Sequence, residues 1–156
     1  MLFSEAVKIA GESGKIRRLK NYFLGSLFAS VHESMGEWTL HFYNPESHTT
    51  RNCTVALDGT VELEEDVPAL NALKKLDVTT VKITPEKAMQ TATEDYGIPP
   101  VQTLLTLSMK GGPVWTVSII SAALTVTSYD VSAETGAIME TRTASIMQRF
   151  NSSERK

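Results

Sequence analysis

Two tryptophans open two similar stretches, and these constrain the fold of the 156-residue chain more than any other feature. Residues 37–42 read EWTLHF and residues 114–119 read VWTVSI. In both, apolar and polar residues alternate with a period of two, which is typical of a β-strand with one buried face. We therefore predict that Trp38, Leu40 and Phe42 share one buried strand face. The second such face carries Trp115, Val117 and Ile119.

A glycine follows each tryptophan at the same distance. Gly59 lies 21 positions after Trp38, and Gly136 lies 21 positions after Trp115. Each glycine comes after an apolar run, and glycine readily adopts the positive φ of a tight turn between paired strands. The strand signals and the turn glycine therefore occur in the same order in the two halves of the chain.

Each half also begins with signals for a helix. Residues 84–86, TPE, supply an N-cap, a proline at the first helical position and an acidic residue in the first turn. Gly97 is placed to end that helix. In the first half, Ser4 and Glu5 open a shorter helical segment. One face of the later helix carries Ala88, Met89, Ala92 and Tyr96.

These patterns predict an α+β fold built from two helix–three-strand repeats, with one or two antiparallel sheets packed by helices. We interpret the common order as a diverged internal duplication. The expected boundaries are 1–63 for the first repeat, 64–83 for a connector and 84–150 for the second repeat. A polar tail, 151–156, is expected to be disordered. In the connector, a stripe of leucines predicts a short helix: Leu70, Leu73 and Leu76.

Composition and charge narrow the class of protein. Apolar residues make up 42% and charged residues 21%, as in soluble globular proteins. A net charge of −3 gives no attraction to a polyanion, so no nucleic-acid partner is expected. The first residues lack the basic region and the following apolar run of a signal peptide. The apolar stretch 114–126 is too short for a membrane span. We expect a cytoplasmic protein without a membrane partner.

Residues 10–15, AGESGK, look like part of a phosphate-binding loop. Such a loop needs a glycine five positions before its last glycine and a Ser or Thr after the lysine. Ile9 and Ile16 occupy those two positions. We therefore reject a nucleotide site and predict that Gly11 and Gly14 end a short helix.

No catalytic residue, cofactor or metal site is predicted. His41 and His48 flank a turn with Glu46 between them, but no ligand pattern accompanies them. They are better interpreted as surface or hydrogen-bonded histidines. The single cysteine, Cys53, alternates with polar residues on a strand and is expected to be a buried thiol.

The second half resembles the PepSY domain in three phrases. They are the helix with spaced alanines that ends in Tyr96-Gly97, the strand that begins with Trp115, and the segment DVSAETGAI at 130–138. The resemblance implies a helix packed on a curved antiparallel sheet. Members of the family occur in protease propeptides and in secreted or membrane-attached proteins, so the resemblance also implies inhibition or regulation of peptidases.

The function predicted from these features is a non-catalytic binding or regulatory module that presents a sheet surface to a protein or peptide. The mechanism is strand addition or docking at the concave face of the sheet. Unpaired edge strands also predict a homodimer. The predicted surface comprises Trp115, Val117, Tyr129, Asp130, Thr135 and Gly136.

The alternative is a small-molecule-binding or enzymatic protein with a pocket between helix and sheet. The first polar groups of that pocket would be His41, Tyr43 and His48.

Overall fold

The fold was obtained as a computed structural model, which describes residues 1–146. Its helices are α1 (Phe3–Glu12), α2 (Gly14–Arg17) and α3 (Pro85–Tyr96), and a 3-10 turn spans Val78–Thr80. Its strands are β1 (Phe23–Val31), β2 (Trp38–Asn44), β3 (Thr49–Val55), β4 (Val61–Leu63), β5 (Val67–Pro68), β6 (Gln102–Met109), β7 (Pro113–Ile120), β8 (Thr125–Ser132) and β9 (Ile138–Ser145). The predicted tail, 151–156, and the end of the second predicted repeat lie outside the described residues.

The strands of residues 1–146 join one antiparallel sheet in the order β4-β3-β2-β1-β6-β7-β8-β9, with β5 paired to β3. The α+β prediction is confirmed, and both halves share the one sheet. In each half a fourth strand follows the three that were predicted. It begins after the glycine turn, where φ is 88° at Gly59 and 82° at Gly136.

The two halves meet at β1 and β6, and the pairing around this junction is symmetric. Its centre lies between two pairs, Phe28 with Thr106 and Ala29 with Leu105, and the next pair on one side is Leu27 with Leu107. Outward from the junction, each half adds its strands in chain order. The descent of both halves from one duplicated segment stays a prediction.

Both long helices lie on one face of the sheet, α1 on β2 and β3, and α3 on β7 and β8. Each is anchored by alanines at its fourth and eighth positions. Ala6 and Ala10 of α1 are fully buried, as are Ala88 and Ala92 of α3. Because alanine is small, the helix backbone can approach the sheet closely.

The helix-covered face of the sheet contains the core. Trp38 and Leu40 are 1% exposed and Phe42 is 8% exposed. In the second half, Trp115, Val117 and Ile119 are fully buried. The strand faces predicted from the alternation are therefore confirmed.

The predicted leucine helix of the connector is wrong. Residues 69–77 contain no helix, and Leu70 is 97% exposed. Leu73 instead lies against Gly25 of β1, where an added Cβ would come within 2.8 Å of the Leu73 Cβ. The Leu76 N–H donates to the Leu24 carbonyl at 2.8 Å. Contact with β1 thus replaces the hydrogen bonds that a helix would supply.

The segment that resembled a phosphate loop is helical. Gly11 lies inside α1, so the helix continues past the predicted end, and Gly14 begins α2. Within residues 1–146, no helix is long and apolar enough to cross a membrane.

Candidate functional site: the open sheet face and the β9 edge

The sheet has a second face, opposite the two long helices, which we term the open face. Side chains of successive strand residues alternate between faces, so the residues between the core positions point here. On β7 and β8 they are mostly small and polar. Ser118 and Ser128, for example, hydrogen-bond to each other across the two strands at 2.8 Å.

Asp130 of β8 is a buried charge of the open face, with 4% of its surface exposed. The Thr116 hydroxyl donates to its Oδ1 at 2.8 Å, and the Lys110 ammonium donates to its Oδ2 at 3.2 Å. The Arg142 guanidinium donates to both oxygens, at 3.0 and 3.1 Å. Every polar partner that a buried carboxylate needs is therefore supplied by neighbouring strands and by the β6–β7 turn.

These contacts set the ionisation of Asp130. Burial acts to raise the pKa of the carboxyl, but hydrogen bonds from Arg142, Thr116 and Lys110 outweigh burial and hold the pKa at about 2. The bond to Asp130 in turn raises the pKa of Arg142. Asp130 is thus a permanent anion at neutral pH, suited to orienting cations and not to proton transfer.

Asp130 fixes the position of Arg142 on β9, the strand at the edge of the sheet. The same guanidinium lies 3.0 Å from the Glu140 carboxylate, two residues earlier on the same face. The side chains of Arg142 and Glu140 are 42% and 60% exposed. The exposed edge therefore carries an oriented cation, Arg142, next to an anion, Glu140.

The β9 strand itself is exposed over nearly its whole length. It pairs with β8, and nothing else in residues 1–146 pairs with its outer edge. Ile138 and Met139 at its start are 38% and 58% exposed. The other edge of the sheet differs, because β4 has three residues and β5 covers more of β3. An edge strand as long as β9 can accept another strand.

A groove of about 300 Å³ adjoins the end of β9 on the open face. Its lining is mainly apolar, with the Arg142 side chain at one side. The groove can receive a side chain from a segment that lies along β9. Its lining residues are Val126, Ser128, Arg142, Ala144, Ser145 and Ile146.

The six residues predicted as a binding surface do not form one. Trp115 and Val117 are fully buried and Tyr129 is 3% exposed, all on the helix-covered face. Asp130 lies on the open face, because neighbouring strand residues point to opposite faces. Thr135 and Gly136 belong to the β8–β9 turn. Of the predicted set, Asp130 is the residue that builds the candidate site, and it acts by holding Arg142.

The residues of the predicted alternative pocket do not lie between helix and sheet. His41 is on the open face of β2, with its Nδ1 2.8 Å from the Ser26 hydroxyl. Burial lowers the pKa of His41, while Glu64 opposes that shift. The Tyr43 hydroxyl is 2.9 Å from Nδ1 of His48. Each histidine is hydrogen-bonded, as preferred from the sequence, and the two have separate partners.

No group of three or more metal-ligating side chains occurs within residues 1–146. Cys53 is fully buried, and this burial raises the pKa of its thiol to about 11. The buried-thiol prediction is confirmed. At neutral pH the group is protonated and therefore a poor nucleophile.

Sequence reasoning missed Lys110, Thr116 and Arg142 as partners of Asp130. One signal was present, because Asp130 is the single charged residue of the apolar run that becomes β8. A charge buried in a strand needs a partner of opposite charge. The identity of that partner depends on the register between strands, which the sequence pattern does not supply.

Residues 82–142 match the family model described as PepSY, the peptidase propeptide and YPEB domain. This part of the chain, from the residues before α3 into β9, is therefore PepSY-like, as its motifs indicated. The match suggests a regulatory or binding module.

Across both halves, the fold is similar to that of a crystal structure from Clostridium difficile 630 described as a putative lipoprotein. The TM-score is 0.67 at 14% identity, over 92% of this chain and 93% of that one. A likeness at this identity concerns the fold alone. Among curated proteins, none matches this chain.

Proposed function

We propose that this protein is a non-catalytic binding module that accepts an extended segment of a protein partner as an added strand beside β9. The observation that carries the proposal is the exposed, eight-residue β9, whose outer edge pairs with nothing else in residues 1–146. An incoming strand can hydrogen-bond to the backbone N–H and C=O groups of such an edge.

Side chains next to that edge supply selectivity. A segment added along β9 places alternate side chains on the open face, beside Glu140 and Arg142 and over the groove at Ala144. Arg142 is already oriented by Asp130, so it loses little conformational freedom when it pairs with an incoming carboxylate. An acidic residue and an apolar residue two positions apart in the added segment fit this arrangement.

The PepSY match supports a peptidase as the partner, since the family description names peptidase propeptides. In this proposal the module regulates the peptidase by holding one of its extended segments and performs no chemistry itself. A cytoplasmic location remains the prediction made from the sequence.

The proposal can be tested with peptides selected on the purified protein from a displayed random library. Amide hydrogen exchange then locates the bound peptide. We expect slower exchange in β9 and unchanged exchange in β4, which serves as the matched control at the other edge. Selection of no peptide, or protection that excludes β9, would contradict the proposal.

A further inference from the structure

We infer that β9 also pairs with β9 of a second copy of this chain, which joins the two sheets across a two-fold axis at Thr141. This inference rests on the proposed function in one respect, the use of β9 as a pairing edge. It goes further by naming one partner, one register and the residues that select them.

The charges on β9 favour one register. Glu140 and Arg142 are its charged residues, and both point to the open face. In an antiparallel pair of identical strands centred on Thr141, each Glu140 lies opposite the other copy's Arg142. Centring the pair on either charged residue instead places like charges opposite each other, which is unfavourable. The edge is thus complementary to itself.

The buried Asp130 strengthens this arrangement. In each copy Asp130 lies on β8, diagonally across from Arg142, and binds its guanidinium at 3.0 and 3.1 Å. The joined strands would then carry two Glu140–Arg142 cross-strand pairs side by side, with each cation already oriented by its own Asp130. Exposed ion pairs are individually weak, so these charges select the register while backbone hydrogen bonds join the strands.

The paired length of β9 is limited at the start of the strand. A β-bulge separates Ile138 from Glu140, so Ile138 pairs with Val131 and lies on the helix-covered face, whereas Ala144 lies on the open face and lines the groove. The register at Thr141 therefore rests on Glu140 and Arg142. The same edge cannot hold a peptide and a second copy together, so dimer formation would compete with the partner.

Sedimentation of the full chain across a range of concentrations tests the dimer. Glu140→Lys places a lysine opposite Arg142 at two points, and we expect it to weaken the dimer by about tenfold. Glu62→Lys, the same change of charge on the β4 edge, should leave association unchanged. The exchange Glu140→Arg with Arg142→Glu should restore association. The exchanged guanidinium then faces Asp130 directly, since positions 130 and 140 are cross-strand partners.

A thiol cross-link tests the register. In a Cys53→Ala background, Thr141→Cys places two thiols opposite each other, and a short bifunctional thiol reagent should yield a covalent dimer. Thr143→Cys, on the same face of β9, lies opposite Met139 and should not react in this way. Circular dichroism confirms that each variant is folded.

The outcomes separate this inference from the proposed function. A chain that is monomeric at every concentration, while selected peptides still protect β9, overturns the dimer alone. A dimer that is insensitive to Glu140→Lys, or that cross-links at residue 143 and not 141, overturns the β9 register. A β9 edge protected by neither peptide nor self-association overturns both.

Discussion

Trp38 and Trp115 meet over the centre of the sheet, with ring centroids 6.2 Å apart and planes tilted by 50°. Each indole N–H donates to a carbonyl two residues before a helix, Trp38 to Met1 at 3.1 Å and Trp115 to Ile83 at 2.8 Å. Phe3 packs edge-on against both rings. The two tryptophans therefore connect each helix start to the sheet, and each half of the protein to the other.

Substitution of either tryptophan by phenylalanine should destabilise the fold through the lost hydrogen bond. Trp115→Phe leaves the Ile83 carbonyl without its donor, at a cost of about 1–3 kcal/mol. Trp38→Phe removes the equivalent bond to Met1. Because the rings are in contact, the double substitution should deviate from the sum of the single ones. Urea unfolding of all four proteins measures this coupling, and strict additivity would contradict it.

Asp130 should make stability depend on pH in the acid range. Its folded-state pKa of about 2 lies below its ordinary value of 3.8. The ionised carboxylate therefore stabilises the fold above about pH 4, and that stabilisation, about 2 kcal/mol, is lost as the pH falls through 2. Urea unfolding at several pH values should show a larger acid loss for the native chain than for Asp130→Asn. Equal losses would contradict the ionic role of Asp130.

Ala92 should not tolerate a larger side chain. It is fully buried where α3 rests on the sheet, so Ala92→Leu must push the helix away or strain its neighbours, at about 1–3 kcal/mol. Gln90→Leu is the matched control, because residue 90 is an exposed position of the same helix. Thermal unfolding compares the two, and a similar effect of both would indicate a loosely packed α3.

Gly25 should resist substitution because of Leu73 in the connector. A Cβ at residue 25 would lie 2.6 Å from the Leu73 Cδ1 and 2.8 Å from its Cβ, which forces the connector away from β1. We expect Gly25→Ala to cost about 1–3 kcal/mol. In a Leu73→Gly background most of that cost should disappear, since both the Cδ1 and the Cβ of residue 73 are then gone. An undiminished cost there would mean that β1 itself, and not the connector, rejects the side chain.

Much of the fold could be predicted because local patterns and tertiary packing agree. The alternation after Trp38 and Trp115 follows the buried face of β2 and β7. Helix α3 begins where Thr84 caps the Lys87 N–H and ends at Gly97, whose φ is 78°. In each case one short stretch of chain contains the physical cause of the element.

The features that the sequence did not predict, the conformation of the connector and the partners of Asp130, depend on contacts between distant segments. The leucines of the connector are spaced for a helix, but Leu73 and Leu76 are held by β1 instead. Likewise, the face to which Asp130 points, and its contact with Lys110 and Arg142, follow from strand register. Periodicity identifies a strand without identifying its neighbours.

The junction of β1 and β6 has a consequence for how the protein folds. The hairpins on either side of it close over short stretches of chain. Leu27 and Leu107, in contrast, are separated in the chain by β2 to β5, the whole connector and α3. Closing a longer loop loses more chain entropy, so the outer hairpins can form before the junction does. A half that folds first exposes a bare β1 or β6 edge. The interval before the two halves unite is thus the stage at which this chain is most exposed to misassembly with other copies.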